Sequence, residues 1–310
     1  MRPRSALILA AGLGTRLRPL TELRAKPAMP LDDEPIVRRT LRQLAAASID
    51  RIIINLHHRP ETIAALVGDG SDLGVRVRYS WEQPVVLGSA GGPRLAVPLF
   101  EEDTFFIING DTLSDIEFGA LAATHAASGA TVTMAVVPHP APGRYGGLRL
   151  APDDAVVGFS GPDPGADLWH FIGVQIASAR AFASLTPGEP AETVRALYPA
   201  LIAAEPGRVR AFRSEARFQD IGTPADYLET SLAIAREHGR DMPAPGRGVQ
   251  IAPDAHVARS ILWDEVVIGP RAHLTDCIVA DGVTIPPGAH YSRAVIMRGE
   301  GELIVSPLDR

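Results

Sequence analysis

SALILAAGLGTR, residues 5–16, decides how the rest of the chain is organised. Residues 6–11 are an unbroken run of apolar residues, the mark of a strand buried on both faces. Gly12 and Gly14 follow at once, and such a pair lets the backbone turn sharply and bring its N–H groups against phosphate oxygens. The loop is not of the Walker type, because the Gly-Lys-Ser/Thr ending is missing. It also fails the dinucleotide pattern, since Leu17 stands where the third glycine belongs. Arg16 adds a planar cation beside the loop, and Lys26, before Pro27, adds another about ten residues on. A glycine turn flanked by surface arginines has the same local look, so the loop alone leaves both readings open. The start MRPR followed by an apolar run also imitates a secretory signal, but Arg16 and Arg18 come at once and a buried strand explains the run better.

From this strand to about residue 240, short apolar runs alternate with helix-like segments, which predicts an α/β fold with a Rossmann-like mixed sheet. Strands are expected at 5–10, 51–55, 75–79, 104–108 and 131–137, and helices at 36–47, 61–67, 118–128 and 225–237. Residues 145–160, punctuated by Gly146-Gly147 and Asp153-Asp154, read as a hairpin that could wall one side of a cleft. The length of 310 residues suggests two domains, and 46% hydrophobic with 21% charged residues supports a real core. Thirty Lys and Arg against 36 Asp and Glu leave a net charge of −6, which argues against a nucleic-acid or anionic-membrane partner. The single cysteine, Cys277, cannot form an internal disulfide or a zinc cluster, which fits a reducing, cytoplasmic setting. No apolar stretch approaches the roughly 18 residues of a membrane-spanning helix.

Residues 238–248 are dense in Pro and Gly and place a boundary between a first domain, 1–240, and a second, 241–310. The second is a repeat. Ile251, Pro253, Ala255 and His256 recur 17 residues later as Ile268, Pro270, Ala272 and His273, and again as Ile285, Pro287, Ala289 and His290. The offset continues through Val257, Leu274 and Tyr291, and through Ile261, Ile278 and Val295. A strand, a Pro/Gly corner and another strand per period describe a short β-solenoid of the left-handed hexapeptide kind. Its three stacked histidines share one face whether or not they hold a metal. With about three coils, the solenoid should lean on the first domain or on another subunit.

Two further stretches end in carboxylates. FFIINGD, 105–111, is a buried strand that delivers Asp111 to its carboxyl end, where ligands gather in open α/β sheets. FQDIGTP, 218–224, puts Asp220 at a strand end before a glycine and a helix start. Mg²⁺ commonly takes one or two protein carboxylates plus substrate phosphates, although either Asp could be an ordinary turn residue.

Taken together, the stretch 10–21 with Lys26-Pro27, Asn109-Gly110-Asp111, Asp220-Ile221-Gly222-Thr223-Pro224 and Leu87-Gly88-Ser89-Ala90-Gly91-Gly92 resemble the nucleotide-sugar pyrophosphorylase family over nearly the whole chain. The 87–92 stretch looks most like the mannose-1-phosphate guanylyltransferase branch, which also carries a C-terminal β-helix. The resemblance implies transfer of a nucleotidyl group from a nucleoside triphosphate to a sugar 1-phosphate, with release of pyrophosphate. The first expectation is GTP with mannose 1-phosphate, and the alternative is thymidylyl or uridylyl transfer to glucose 1-phosphate. By the same resemblance, Mg²⁺ sits on Asp111 and Asp220, and Arg16 and Lys26 serve catalysis. Ala10, Ala11, Gly12, Gly14, Thr15, Arg16, Glu82, Gly88, Ser89 and Gly110 line the nucleotide, while Tyr145, Gly146, Gly147 and His170 face the sugar. Assembly into a homo-oligomer is assigned to the β-helix.

One family feature is missing. Many members carry a Phe-x-Glu-Lys-Pro stretch and then Asn-Ala-Gly, where this chain has Phe159-Ser160-Gly161-Pro162 and His170-Phe171-Ile172-Gly173. Arg144, Arg149, His170 and Arg217 are the candidates to replace the lost lysine. A regulatory homologue that only binds a nucleotide sugar is the rival reading, against which stands the retention of Arg16, Lys26, Asp111 and Asp220.

Overall fold

The computed structural model describes residues 2–141, 143, 145–163 and 167–308. They form two compact units, one made of the residues up to 12 together with 40–219, the other of 13–39 together with 220 onward.

The first unit is built on a nine-stranded sheet: β1 Ser5–Leu9, β2 Arg51–Leu56, β3 Arg76–Trp81, β4 Thr104–Asn109, β5 Val132–Pro138, β6 Gly147–Leu150, β7 Val156–Ser160, β8 Trp169–Ser178 and β9 Val209–Arg213. Its centre is parallel, with β1 between β4 and β2 and β3 beyond β2. That centre is where the sequence is most continuously apolar, and Ala6, Leu7, Ile8, Phe105, Phe106 and Ile107 are all fully buried. The sheet is mixed because β8 runs antiparallel to both β4 and β5. The predicted hairpin is the antiparallel pair β6 and β7.

Four helices of this region match the periodic segments closely: Ile36–Ala46, Pro60–Val67, Phe118–Ser128 and, in the second unit, Pro224–Glu237. Two helices, Gly88–Ala96 and Tyr198–Ala204, fall outside the predicted segments. Gly88–Ala96 is helical although three glycines and Pro93 make it a poor helix former. Tertiary contacts override propensity here, since the Ala90 and Gly91 N–H groups both donate to the Ala191 carbonyl and residues 90–93 are buried.

In the second unit the 17-residue offset becomes register. His256 pairs with His273 and His273 with His290, Val257 with Leu274 and Leu274 with Tyr291, Ile261 with Ile278 and Ile278 with Val295, every pair parallel. The coils form the left-handed β-helix, and their inward residues, among them Ile268, Leu274, Val279, Ile285 and Ile296, are its core. Cys277 is buried in that core. The His273 and His290 rings stack at 4.6 Å and the His256 and His273 rings lie 5.8 Å apart, as equal positions of successive coils must. Among the described residues, no helix is long and apolar enough to cross a membrane.

Candidate active site

Each unit holds part of the predicted site. In the first, β1 ends at the glycine loop, and the loop is held from beneath by a buried relay. The Ala10 N–H donates to Asn55 Oδ1 at 2.6 Å, Asn55 Nδ2 donates to Glu82 Oε1 at 2.6 Å, and the Leu87 N–H donates to Glu82 Oε2 at 2.7 Å. Glu82 is fully buried and Asn55 nearly so. Burial pushes the Glu82 carboxyl above its usual range, against the opposing pull of its bonds to Leu87 and Asn55. Gly92 permits this packing, because a Cβ there would lie 2.4 Å from Glu82 Oε1 and 2.8 Å from Asn55 Nδ2. The family resemblance places Glu82 on the nucleotide. In the structure it stands under the two loops, bonded directly to the Leu87 N–H and linked to the Ala10 N–H through Asn55.

The segment that opens at Gly88 lies against residues 191–193. Gly88 has φ of +73°, and a Cβ on it would meet Glu192 Oε1 at 2.5 Å. The Ser89 hydroxyl donates to Glu192 Oε2 at 2.7 Å and accepts from the Thr193 N–H at 2.9 Å. Gly12, by contrast, has nothing within 4 Å of a Cβ position, which leaves its backbone open to approach. Asp111 follows β4, whose last residue, Asn109, fits against Gly173: a Cβ on that glycine, at φ of +78°, would come within 2.8 Å of Asn109 Nδ2. Gly110 donates its N–H to the Leu9 carbonyl, so the strand that delivers Asp111 is tied to the one that delivers the glycine loop.

The expected sugar-side residues also belong to this unit. His170 lies among Tyr145, Phe218 and His139, with ring centroids 5.0, 4.8 and 5.3 Å away. Burial, with a smaller contribution from His139, pulls its pKa down to about 4, so His170 is neutral near pH 7 and supplies no cation. Its Nδ1 is buried with no hydrogen-bond partner among the described residues. Arg217 is engaged by Asp115, donating its Nε–H at 2.9 Å and its backbone N–H at 2.7 Å. Arg149 lies across Gly158, and Arg144 falls outside the described residues. The Phe159–Pro162 stretch, together with Gly146, lines an open cavity of about 770 Å³. Among the described residues lining it, Arg195 is the cation, a residue that no local pattern marks.

In the second unit the signature continues. Gly14, at φ of +59°, faces Thr21, whose hydroxyl donates to the Gly14 carbonyl at 3.0 Å. Arg16 reaches within 4.0 Å of Asp220 Oδ2, and Gly222 makes room for it, since a Cβ there would lie 2.8 Å from Arg16 Nη1. Lys26 is buried in the short turn Lys26–Ala28. Thr223 caps the helix that follows Asp220, its hydroxyl accepting from the Asp226 N–H at 3.1 Å.

Residues 5–237 match the nucleotidyl transferase family, and residues 246–296 match the GlmU-like C-terminal hexapeptide family. The chain belongs to the nucleotidyl transferase family. A mannose-1-phosphate guanylyltransferase of Mycobacterium tuberculosis is 30% identical over 80% of this chain and 70% of its own length. A UTP–glucose-1-phosphate uridylyltransferase of Synechocystis is 26% identical over 85% of this chain and 71% of its own. In fold, the chain is similar to HddC of Yersinia pseudotuberculosis, with a TM-score of 0.65 and 24% identity over 76% of this chain and all of that one. Sugar-1-phosphate nucleotidyl transfer is the activity that the family match and these relatives support.

Two histidines, half-buried His170 and buried His125, give this nucleotidyl transferase a defined acid response. Burial lowers the pKa of His125, with Arg180 adding to the shift. A histidine whose folded pKa lies below its unfolded value of about 6.5 binds fewer protons folded than unfolded. Stability from this source is therefore complete above about pH 6.5 and is lost as pH falls toward 4. Thermal unfolding followed from pH 7 to pH 5 should show Tm falling, and the fall should be shallower by a few degrees in His170→Gln. Parallel curves for the two proteins would mean that His170 titrates normally.

Proposed function

We propose that this protein joins GTP and mannose 1-phosphate into a nucleotide sugar, with pyrophosphate as the second product. Thymidylyl or uridylyl transfer to glucose 1-phosphate is the alternative. The observation that carries the reading is the meeting, within one unit, of Arg16 from the glycine loop with Asp220, over a glycine that leaves space for both. The first of the relatives above supports the choice of base and sugar.

In this reading an oxygen of the sugar 1-phosphate attacks the α-phosphorus, the bond to the β-phosphate breaks, and pyrophosphate leaves with the electron pair. The nucleophile is already an anion, so no side chain has to remove a proton and the work of the site is alignment and charge neutralisation. Arg16 neutralises the triphosphate and the leaving pyrophosphate. Lys26 holds the phosphates in line, and the backbone at Ala10, Ala11, Gly12, Gly14, Thr15, Gly88 and Gly110 approaches the nucleotide closely. Ser89 and Glu82 keep the loops in place, while Tyr145, Gly146, Gly147 and neutral His170 meet the sugar. Asp111, just past the end of β4, and Asp220, at the end of the short strand Phe218–Asp220, are hard oxygen donors of the kind Mg²⁺ takes. When bound, Mg²⁺ would supply positive charge against the crowded phosphates. We assign the nucleotidyl transfer to residues 1–240, assembly of a homo-oligomer to the β-helix of 241–310, and the cytosol as the compartment.

The test is a matrix of five nucleoside triphosphates against several sugar 1-phosphates with Mg²⁺, reading pyrophosphate release. GTP with mannose 1-phosphate should lead. Arg16→Ala and Lys26→Ala should each cut kcat/KM by at least about tenfold, since a charge-assisted phosphate contact contributes roughly 1.5–3 kcal/mol. The missing lysine at 159–162 favours a second reading, a regulatory binder. No pyrophosphate from any pair, together with tight calorimetric binding of a finished nucleotide sugar, would decide for it.

A further inference from the structure

The β-helix grips the signature segment directly. Arg24, two residues before Lys26, donates from Nε to Asp281 Oδ2 at 2.8 Å and from Nη2 to Asp281 Oδ1 at 2.6 Å, and Nη2 also donates to Asp264 Oδ2 at 2.9 Å. Its guanidinium lies 5.1 Å from the ring centre of Trp263, which is fully buried. Asp264 and Asp281 are 17 residues apart and so occupy one position of two successive coils. They are coupled, because the Asp264 N–H donates to Asp281 Oδ1 at 3.1 Å. On the other side of Lys26, the Pro30 carbonyl accepts from the Tyr227 hydroxyl, and that hydroxyl in turn accepts from Trp263 Nε1 at 3.0 Å. The stretch 24–30 is thus pinned at both ends to the same tryptophan.

This geometry is more than an ordinary surface ion pair. The Arg24 side chain is only 18% exposed, and a bidentate carboxylate fork fixes direction as well as distance. An arginine held in this way orders the backbone that carries it. We infer that Arg24 is a positioning residue, through which the first two coils of the β-helix set the conformation of residues 24–30 and with it the aim of Lys26 at the transferring phosphates. The inference rests on the role proposed above for Lys26. It gives the β-helix a part in the chemistry beside assembly.

A double-mutant cycle on the full chain tests it. Arg24→Ala should lower kcat for the best triphosphate and sugar phosphate pair by at least tenfold while KM changes less than threefold, and Asp281→Asn should go in the same direction. In a Lys26→Ala background, Arg24→Ala should cost less than twofold more, because the group it aims is gone. Arg24→Lys, which keeps the charge but not the fork, should restore only part of the loss. Hydrogen exchange provides a readout independent of turnover: amides of residues 20–30 should exchange at least tenfold faster in Arg24→Ala and in Asp281→Asn, with β1 and β4 unchanged. If Lys26→Ala lowers turnover and Arg24→Ala does not, or if the two losses multiply in full, Arg24 has no positioning role. Unchanged exchange at 20–30 in both variants overturns the inference even if the protein proves to have no transferase activity, and no effect of Lys26→Ala on turnover refutes the underlying reading instead. Should Arg24→Ala fail to fold, Asp281→Asn carries the same cycle.

Discussion

Replacing Asp111 or Asp220 by asparagine is expected to lower nucleotidyl transfer by about 10²-fold or more while the fold stays intact. The magnitude is that of a lost electrostatic stabiliser in an active site, because the amide keeps the shape of the side chain but gives up the charge that a divalent cation requires. The fold should survive for different reasons at the two positions. Asp111 follows β4 at the sheet's carboxyl edge, where the strand is already secured by its pairing to β1 and β8. Asp220 precedes a helix that has its own cap at Thr223. Steady-state turnover with the best substrate pair, alongside circular dichroism, provides the check. Near-normal turnover in either variant would take that residue out of the site.

Asn55→Leu is expected to lower stability strongly although it removes no hydrophobic contact. The amide side chain satisfies the buried Ala10 N–H and one oxygen of the buried Glu82 carboxylate at once. A leucine offers neither group, so an N–H and a carboxylate oxygen are left short of partners out of reach of water. Leaving two buried groups unsatisfied costs about 1–3 kcal/mol each and more for the carboxylate, so about 3 kcal/mol or more together. At roughly 2–4 °C per kcal/mol for a chain of this size, Tm should fall by about 6 °C or more. Nucleotide affinity should weaken as well, because the relay joins the backbone of both glycine loops. Differential scanning calorimetry and nucleotide titration would measure the two effects. A Tm within about 2 °C of wild type would mean that the relay contributes little.

Much of the architecture is local information. A run of apolar residues before Gly12, and strand and helix periods along the first 240 residues, point to an α/β sheet because side-chain direction repeats every 2.0 or 3.6 residues whatever lies far away, while the antiparallel placement of β8 that makes the sheet mixed is a tertiary result. The helix at 88–96 escaped this logic. Its sequence is a poor helix former, and it is held by the Ala191 carbonyl about a hundred residues downstream. The site divides in the same way. Glycine spacing and the two strand-end aspartates mark chemistry that short motifs can carry. Arg195 has no motif and emerges only as a side chain lining a cavity with Phe159–Pro162.

By itself, the sequence determined the parallel register of the β-helix, since a constant offset of 17 residues leaves one way to stack His256, His273 and His290. It also determined that a glycine loop follows a buried strand. Only the tertiary structure decided that Glu82 bridges the two loops from beneath through Asn55, that burial makes His170 neutral, and that Arg24 is clasped by Asp264 and Asp281. The physical reason is the range over which each cause acts. Periodicity and turn chemistry are set by neighbours a few residues apart, whereas desolvation and charge pairing depend on which groups the folded chain brings together, here across 27 residues for Asn55 and Glu82 and 257 for Arg24 and Asp281.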